Sequence, residues 1–425
     1  MMGLLAAILG GLLFGASLLL FLAAAYLALL STAAFLNPRK RERVGVFDRP
    51  RESPARFVVL VPAHNEEQLI AETVAGLGKL AYPREQFEVV VIADNCSDET
   101  AQRCRGLECT VLERTAPEDP GKGQALDWAM KRLLANWPRP FDAVLMVDAD
   151  SVLNADFLWF MSERIRLGDE LLQGYYTVRN PRDSWRTSLL AASLALFHFL
   201  RPLGRDRLGL PCGLKGNGFA MSRRLVREIG YPAGSNVEDL ELSLILVARG
   251  VGAQFVPGAQ VFGEMTTRAD AAEQQRARWE GGRVALLKTW TGPLFRRALR
   301  TRNAACADAL ADLLMPPFAL LVAAVLSVLV LSCAGGLLAP HAWLGAACWL
   351  SGASVALCAY YVLSGMLLAR PPPIIWRRLL FAPGYVVWKL GLYIRILRDP
   401  SATGRWERTP RNREDDALEK PVEHE

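Results

Sequence analysis

The stretch VLMVDADS, residues 144–151, decides the fold expected for this chain. Its apolar start predicts a buried strand, and its two carboxylates, Asp148 and Asp150, should emerge at the edge of a sheet. Two aspartates so close together repel each other unless a cation lies between them. A divalent cation takes oxygen ligands and binds phosphates, so a metal site is one interpretation of the pair. The other interpretation is a pair of solvated loop carboxylates.

Alternating strand and helix patterns surround this stretch. Apolar runs at residues 57–62 and 88–94 predict buried strands, and residues 66–79 and 122–136 have helical character. This alternation predicts a parallel, three-layer α/β sheet. In such sheets ligands bind outside the carboxyl ends of the strands. Polar groups follow three of these ends, namely Asn65 and Glu66, then Asp94, then Asp148 and Asp150.

The most apolar parts of this chain of 425 residues, of which 52% are hydrophobic, are its two ends. Residues 3–36 carry no charge, and they exceed the roughly 20 residues that a helix needs to cross a bilayer. A cleaved signal peptide has a shorter apolar region with a basic start, whereas the basic residues here follow at 39–43. We therefore predict an uncleaved transmembrane anchor over residues 1–36, with its N-terminus outside. A helical hairpin that breaks near Gly10 and Gly11 is the alternative.

The C-terminal part contains two further stretches that are nearly uncharged and long enough to span, residues 309–339 and 343–369. They predict two transmembrane helices within residues 305–370. Residues 371–425 begin with charges among aromatic and aliphatic side chains, which favours an interfacial helix, and end in a polar cytosolic tail. Residues 188–200 are apolar but too short to span, and they favour a buried or membrane-surface helix.

The segments between these apolar stretches complete the predicted domain organisation. Residues 37–53 form a polar linker with prolines, and residues 54–300 form the soluble catalytic block. The net charge is +6, and much of the positive charge lies beside the apolar segments. The tendency of basic residues to stay on the cytosolic side explains that charge, so no nucleic-acid partner is expected.

Seven short motifs follow one another in an order that is more specific than any one of them. They are VPAHNEE at 61–67, DNCSDET at 94–100, GKGQAL at 121–126, DAD at 148–150, GNGFA at 216–220, ED at 238–239 and QRARW at 275–279. This set resembles the membrane-bound branch of the family 2 glycosyltransferases, with cellulose, chitin and hyaluronan synthases and ceramide glucosyltransferase as relatives. The resemblance covers about residues 55–290 and implies a GT-A-type, Rossmann-like domain.

The donor side of the predicted site begins at the first two strand ends. Asp94 can accept hydrogen bonds from a uracil or a ribose, and the resemblance makes it the nucleotide-binding aspartate; an Asx-turn is the alternative. Asn65 and Glu66 fall beside the same pocket, although Glu66 also suits the first turn of a helix. Lys122 lies between two glycines at a helix start, where an anion is favoured, so we expect it to contact the diphosphate. The alternative for Lys122 is a surface turn.

A divalent cation is part of what the resemblance implies. It makes Asp150 the direct ligand of Mn²⁺ or Mg²⁺, with Asp148 close to the ribose and the metal. A cation there neutralises the departing diphosphate, which stabilises the transition state more than the ground state. Arg278 matches the arginine of the family's Gln-x-x-Arg-Trp motif and can bind phosphate oxygens bidentately. On an isolated helix Arg278 would more often be solvated.

Glu238 and Asp239 are the candidate catalytic residues. A sugar hydroxyl is a poor nucleophile until a nearby carboxylate takes its proton, and the resemblance matches Asp239 to the catalytic base. The alternative is that both are acids at a helix N-terminus that Asn236 caps. Gln275 and Trp279 are expected on the acceptor side, where Trp279 offers a flat apolar face for a sugar ring. On an isolated helix Trp279 would more often be a core residue.

From these residues we expect an integral membrane hexosyltransferase. It would transfer a sugar from a UDP-sugar, with inversion, to a glycan acceptor at the membrane, in cell-surface or extracellular polysaccharide synthesis. Single glycosylation of a membrane lipid is the alternative, and a non-catalytic scaffold on a decayed transferase domain is a hypothesis of another class. The intact Asp94, Asp150, Asp239 and Arg278 argue against decay. The expected location is the cell membrane, with the catalytic domain in the cytosol. A second membrane protein is a candidate partner.

Overall fold

The computed structural model describes residues 2–36 and 54–398. The predicted linker at 37–53, with the basic residues at 39–43, and the tail beyond residue 398 lie outside the described residues. Within the described part of the chain, a mixed sheet is covered by helices on both faces, and long apolar helices lie at both ends.

The sheet of the described residues has eight strands in the order β3-β2-β1-β4-β7-β6-β8-β5. In chain order they are β1 (Phe57–Ala63), β2 (Phe87–Asp94), β3 (Thr110–Arg114), β4 (Ala143–Met146), β5 (Ser151–Leu153), β6 (Leu171–Val178), β7 (Phe219–Ser222) and β8 (Gln254–Gly263). The four strands from β3 to β4 are parallel, as predicted. The other half is mixed, because β7 is antiparallel to both β4 and β6 and β5 is antiparallel to β8. The expectation of an all-parallel sheet was wrong there, since the regular strand–helix alternation that imposes parallel pairing ends after β4.

The helices follow the same chain order. They are α1 (Met2–Ala34), α2 (Ile70–Leu77), α3 (Thr100–Cys104), α4 (Lys122–Asn136), α5 (Phe157–Arg166), α6 (Trp185–Leu194), α7 (Arg201–Leu208), α8 (Arg223–Ile229), α9 (Glu238–Ala248), α10 (Ala269–Thr301), α11 (Ala304–Leu314), α12 (Phe318–Leu338), α13 (Ala342–Ala369), α14 (Pro373–Arg378) and α15 (Ala382–Arg398). A π-helical segment, Ala195–Leu200, joins α6 to α7 without a break.

Strand β1 shows how the sheet is covered on both faces. Val58 and Leu60 lie in one hydrophobic core together with Leu126 of α4, whereas Val59 and Val61 lie in a second core on the opposite face. All four valine and leucine side chains of β1 are at most 2% exposed. Burial on both faces is the three-layer arrangement that the sequence predicts, and it leaves the carboxyl end of the strand as the place where polar groups emerge.

Within the described residues, four helical stretches are long and apolar enough to cross a membrane, so the chain is that of a membrane protein. They are residues 6–34, 185–208, 318–338 and 342–369. The first lies in the continuous helix α1, so the helical hairpin near Gly10 and Gly11 does not form. Gly10 instead packs against α13, where a Cβ would lie 3.0 Å from Cβ of Trp343.

The second of these stretches is longer than the sequence suggested. Residues 188–200 looked too short to span, but the helix runs over residues 185–208, and most of it is buried inside the protein. Charged residues ended the apolar run in the sequence, yet Arg205 continues the helix because its guanidinium is paired. Its Nε lies 2.8 Å from Asp308 and its Nη2 lies 2.7 Å from Asp312. The expectation that this segment is a buried helix agrees with the structure, and the expectation about its length was wrong.

The predicted span at 309–339 is two helices. Helix α11 ends at Leu314, and α12 begins at Phe318 after Met315, Pro316 and Pro317. Proline has no backbone N–H and clashes with the preceding turn, so a pair of prolines ends one helix before the next begins. The break places α11, with Asp308 and Asp312, against α9 and α10 instead of within the apolar helix.

Helix α1 approaches α7 closely because Gly204 has no side chain. A Cβ on Gly204 would lie 2.2 Å from the backbone oxygen of Leu30, so a larger residue would force the helices apart. The next residue, Arg205, donates a hydrogen bond to the hydroxyl of Tyr26 at 2.7 Å. The first helix is thereby fixed to the helix that forms one wall of the cavity described below.

Candidate active site

A cavity of about 1230 Å³ lies at the carboxyl ends of β1, β2 and β4. Ten of the eleven predicted site residues line it, namely Glu66, Asp94, Lys122, Asp148, Asp150, Glu238, Asp239, Gln275, Arg278 and Trp279. Asn65 does not line it: the side chain turns to the neighbouring loop, where its Oδ1 accepts a hydrogen bond from the backbone N–H of Ser97 at 2.8 Å. The cavity therefore gathers residues from strand ends, from two helix starts and from the long helix α10.

Asp94 is buried at the end of β2 and is held by an arginine that sequence reasoning missed. Arg114 is its register partner on β3, and Arg114 Nη1 donates to Asp94 Oδ1 at 2.7 Å. Arg114 also bonds the carboxylate of Asp119 at 2.7 Å. The register of β2 and β3 places these two residues opposite each other. The sequence around Arg114, a charged residue at the end of a short strand, does not indicate this partner.

The two loops beside Asp94 hold each other through side chain–backbone bonds. The carboxylate of Asp98 accepts hydrogen bonds from the backbone N–H of Thr100 at 3.0 Å and of Glu67 at 3.1 Å. Thr100 begins α3, so the carboxylate of Asp98 joins the start of this helix to the loop that carries Glu67. Glu66 is buried, and its backbone N–H donates to the Thr100 hydroxyl at 2.8 Å.

Asn217 organises the loop that carries Asp148 and Asp150. Its side chain is fully buried; Oδ1 accepts from the backbone N–H of Asp148 at 3.1 Å, and Nδ2 donates to the hydroxyl of Ser151 at 2.8 Å. Ser151 in turn donates to Asp150 Oδ1 at 3.0 Å. The GNGFA motif therefore positions the aspartate pair, a role that the sequence of the motif did not indicate.

Lys122 lies where the two groups of carboxylates meet. Its Nζ donates to Asp148 Oδ1 and to the backbone oxygen of Gly216, both at 2.6 Å, and lies 3.6 Å from Glu238 Oε1. Burial alone would lower the pKa of Lys122, but the charges of Asp148 and Glu238 raise it above its usual value. Lys122 is therefore a permanently charged group between the strand-end aspartates and α9.

The aspartate pair fits a divalent cation that shares its ligands with a substrate. Burial and the charge of Asp150 raise the pKa of Asp148, while Lys122 lowers it, so a further cation beside the pair would favour the ionised form of Asp148. No group of three or more histidine, cysteine or acidic side chains in the described residues is arranged to hold a metal ion. Mg²⁺ is commonly bound by one or two carboxylates together with substrate phosphates, and Asp148 and Asp150 supply that donor set.

Glu238 and Asp239 are the first residues of α9, as the sequence suggested. The residue that caps the helix is Val237, so the expected cap by Asn236 was wrong. The loop is held instead from inside the helix, because Glu241 accepts hydrogen bonds from the backbone N–H groups of Gly234 and Ser235 at 3.1 and 2.9 Å. Both acids therefore start the helix without a side-chain cap.

The surroundings of Asp239 suit a carboxylate that takes up a proton. Burial raises the pKa of Asp239, and burial and the charge of Asp239 raise that of Glu238. Gly216 lies against Asp239 with φ of +77°, and a Cβ on Gly216 would lie 3.3 Å from Asp239 Oδ2. Glycine adopts this backbone conformation without strain, so the turn brings the carbonyl that Lys122 binds next to Asp239.

Helix α10 presents Gln275, Arg278 and Trp279 to the cavity. Trp279 is partly exposed there, so it is not the core residue that an isolated helix would suggest. Two contacts fix the helix: Glu280 pairs with Lys389 of α15, and the Arg283 guanidinium bonds the last carbonyl groups of α11, including that of Leu313 at 3.0 Å. The motif is thus held between α15 and α11.

A mixed α/β sheet with acidic residues at its strand ends and beside a long motif-bearing helix defines a GT-A-type glycosyltransferase domain. A family model described as "Glycosyltransferase like family 2" matches residues 54–282, which is more than half of the chain. The chain belongs to glycosyltransferase family 2, as the sequence motifs predicted.

Individual relatives cover part of the chain. A beta-monoglucosyldiacylglycerol synthase of Trichormus variabilis is 31% identical over 261 residues, which are 58% of this chain and 54% of that protein. A poly-beta-1,6-N-acetyl-D-glucosamine synthase of Staphylococcus aureus is 25% identical over 238 residues, 54% of this chain and 55% of that protein. The chain thus spans about half the length of these curated relatives. Among solved structures, the mannosyltransferase PcManGT from Pyrobaculum calidifontis, in complex with GDP-Man and Mn²⁺, is 20% identical with a TM-score of 0.46, covering 87% of this chain and 99% of that one.

Proposed function

We propose that this protein transfers a sugar from a UDP-sugar to a hydroxyl group of an acceptor that reaches the site from the membrane. The observation that carries this proposal is the continuity of the cavity. From the strand-end aspartates it extends past Asp239 to an apolar space between α12 and α13, where Val322 and Val355 line it. A donor and a membrane-embedded acceptor can therefore meet in one cavity.

The donor occupies the strand-end side of the cavity in this proposal. Asp94, held by Arg114, accepts hydrogen bonds from the uracil or ribose, and Glu66 flanks the same position. Asn65 supports the loop and does not touch the donor. The ammonium of Lys122 donates charge-assisted hydrogen bonds to the diphosphate.

The remaining diphosphate contacts come from the aspartate pair and from α10. Asp150, with Asp148, would hold Mn²⁺ or Mg²⁺, which when bound supplies positive charge to the leaving diphosphate. Arg278 supplies a second fixed positive charge from the opposite wall. Asp148 also keeps Lys122 in place, since their side chains lie 2.6 Å apart.

The chemical step that this arrangement supports is a direct displacement. Asp239 takes the proton of the acceptor hydroxyl, and the oxygen forms a bond to the anomeric carbon of the sugar. The bond between that carbon and the diphosphate oxygen breaks, and UDP leaves with the electron pair. Attack from the side opposite the leaving group inverts the anomeric configuration. Glu238 stays paired with Lys122, and Gln275 and Trp279 contact the acceptor.

The cavity favours a lipid acceptor over a growing glycan. The part of the cavity between α12 and α13 is lined by apolar side chains such as Val322 and Val355, which suits acyl chains better than the hydroxyl-rich surface of a polysaccharide. A glycolipid synthase and a polysaccharide synthase are both among the relatives, so they leave the acceptor class open. Polysaccharide synthesis stays the second candidate, because Trp279 offers the cavity a flat ring on which a sugar can stack.

We further propose that α1, α12 and α13 span the cell membrane and that the catalytic domain lies in the cytosol. The stretch at 185–208 is long enough to cross but connects β6 to β7, which are neighbours in one sheet, so both of its ends lie on the same side. Arg370 ends α13, and Arg377 and Arg378 follow in α14, which favours the cytosol for that end. In this proposal residues 1–36 are the anchor, residues 54–300 are the catalytic region, and residues 305–370 and 371–425 are the two C-terminal regions.

Product analysis tests this function. Membranes containing the full-length protein are incubated with Mn²⁺ or Mg²⁺ and a panel of labelled UDP-sugars. We expect an organic-soluble product and release of UDP, whereas a product of high mass would favour polysaccharide synthesis. Asp239→Asn should abolish the product, with Asp142→Asn as matched control, because Asp142 lies at the opposite end of β4 from Asp148. Full activity of Asp239→Asn would show that Asp239 is not the base. Turnover that is unchanged by chelators would show that the reaction does not need a metal.

A further inference from the structure

Lys215 is a buried cation whose ammonium has no hydrogen bond and no ion pair at contact distance among the described residues. Its residue exposure is 8%, and its ammonium lines the cavity with no hydrogen-bond acceptor and no carboxylate within ion-pair distance among those residues. The one close contact that the structure gives the ammonium is the ring of Phe197, 4.1 Å from Nζ. Burial lowers the pKa of Lys215 to about 8, while the charges of Asp312 and Asp239 act in the opposite direction and favour the ammonium form. A buried ammonium is costly unless a partner compensates it.

The charges nearest to Lys215 already compensate each other. Arg205 pairs with Asp308 at 2.8 Å and with Asp312 at 2.7 Å, and Arg201 lies 3.4 Å from Asp312. Two guanidinium groups thus face two carboxylates, and Arg201 also donates to the Tyr361 hydroxyl at 2.8 Å. This cluster lines the same cavity, and Lys215 is the excess positive charge beside it.

Lys215 adjoins the proposed catalytic base. The next residue, Gly216, lies against Asp239. A Cβ placed on Gly216 would lie 3.4 Å from the carboxylate carbon of Asp239. Lys215 therefore lies on the wall of the cavity between Asp239 and the cluster of Arg201 and Arg205. A hydroxyl group at Asp239 would have its neighbouring substituents within reach of the ammonium.

Beyond Lys215 the cavity becomes apolar. Phe318 and Val322 of α12 and Val355 and Val362 of α13 line this part. A ligand that fills the cavity from Asp239 outward therefore meets first a carboxylate, then the ammonium of Lys215, which no hydrogen bond of the described residues satisfies, and then hydrocarbon. That order matches a molecule with a hydroxyl group, an anionic group and acyl chains.

We propose that this part of the cavity is the acceptor subsite for an anionic phospholipid, whose phosphate binds Lys215 and whose acyl chains lie between α12 and α13. Lys215 then sets acceptor specificity, and this inference rests on the proposed glycosyl transfer. A phosphate oxygen gives the ammonium a charge-assisted hydrogen bond that no side chain of the described residues provides. A neutral lipid of the same shape would leave the ammonium uncompensated.

Binding can be measured without knowing the sugar donor. Full-length protein in nanodiscs of phosphatidylcholine is titrated with phosphatidylglycerol, which carries both a phosphate and free hydroxyl groups, or with neutral diacylglycerol. Retention of each lipid is measured by native mass spectrometry. We expect Lys215→Met to weaken retention of phosphatidylglycerol at least tenfold and to leave diacylglycerol unchanged, whereas Lys215→Arg keeps most of the binding. Lys131→Met, at a surface lysine that is 75% exposed, is the matched control.

Three outcomes overturn the inference: equal retention of phosphatidylglycerol by wild type and Lys215→Met, equal losses for both lipids, or a wild-type preference for diacylglycerol. Glycerol phosphate, which has the same anionic group without acyl chains, should compete at least a hundredfold more weakly than phosphatidylglycerol. Equal competition would exclude the apolar part of the subsite.

Transfer assays separate the two proposals. Absence of UDP release with every UDP-sugar would contradict the proposed function while leaving the binding result in force, and an intact function with no effect of Lys215→Met on the acceptor KM would contradict the subsite alone.

Discussion

Lys122 and Asp148 form an ion pair at the centre of the site, with Nζ of the lysine 2.6 Å from Oδ1 of the aspartate. The residues come from the first turn of α4 and from the end of β4. The same ammonium lies 3.6 Å from Glu238, so it links the donor side of the cavity to the start of α9. In the proposed reaction, this position lets Lys122 meet the diphosphate and order the carboxylates around it.

Replacing Lys122 should reduce turnover more than it reduces stability. Lys122→Met removes a fixed positive charge near the leaving group, and losses of about 10²- to 10³-fold in kcat are typical of such changes. Release of UDP from the active UDP-sugar measures the loss. Lys122→Arg should recover part of it because the charge is kept.

A surface lysine on the same helix controls for this change. Lys131 pairs with Asp127 and is 75% exposed, so Lys131→Met should leave kcat within about twofold of wild type, as exposed ion pairs contribute little. Wild-type kcat in Lys122→Met would show that the charge has no role in the reaction.

Loss of the Asn217 side chain should weaken the binding of the metal. Asn217→Ala removes the hydrogen bonds that orient Ser151 and the backbone of Asp148, and changes to such supporting groups typically lower metal affinity about 10- to 100-fold. The Mn²⁺ concentration for half-maximal UDP release should rise accordingly. Asn136→Ala, at the exposed end of α4, should not change it. An unchanged Mn²⁺ requirement in Asn217→Ala would separate this hydrogen-bond network from the metal site.

The pH dependence should reveal the base. Because burial raises the pKa of Asp239, its deprotonated form is lost as the pH falls through a value above the ordinary pKa of about 3.9 for aspartate. Activity should therefore rise with pH on the acid limb, with a midpoint clearly above that ordinary value. The measurement is kcat/KM against pH at saturating metal. A flat profile, or the same acid limb in the residual activity of Asp239→Asn, would assign the proton transfer to another group.

Arg205 should be essential for stability. Its side chain is 2% exposed and pairs with two carboxylates, so Arg205→Met leaves buried negative charge without compensation, at a cost of about 3–5 kcal/mol in the free energy of unfolding. Denaturation in detergent measures the loss. Adding Asp308→Asn to the Arg205→Met variant should restore part of it.

Arg224 offers the matched control for that experiment. It is 68% exposed and pairs with Glu228 on the surface, so Arg224→Met should leave the denaturation midpoint nearly unchanged. Equal effects of the Arg205 and Arg224 changes would mean that the buried network contributes no more than a surface pair.

Strand ends were predictable from the sequence because their geometry is local. The parallel strands β1, β2 and β4 present their carboxyl ends at one edge, so Glu66, Asp94 and Asp148 had to lie near each other. The second half of the sheet was not predictable. Its strands pair over long sequence distances, and no repeated strand–helix unit sets their direction.

The supporting residues escaped the sequence analysis for a related reason. Arg114 holds Asp94 through strand register, and Asn217 holds Asp148 across the sheet. Neither residue differs locally from a solvated arginine or a turn asparagine. Their roles follow from partners that lie 20 and 69 residues away in the chain.

The sequence by itself determined the family, the acidic strand ends, the Gln-x-x-Arg-Trp helix and the apolar segments, because each is encoded in a short motif or a local periodicity. Tertiary structure alone decided where the charges go. It paired Arg205 with Asp308 and Asp312, joined the cavity at the strand ends to the apolar space between α12 and α13, and left the ammonium of Lys215 without a hydrogen bond or ion pair among the described residues. Hydrophobic periodicity records that a residue is buried, but the partner of a buried charge depends on which elements pack together, and that is a property of the whole fold.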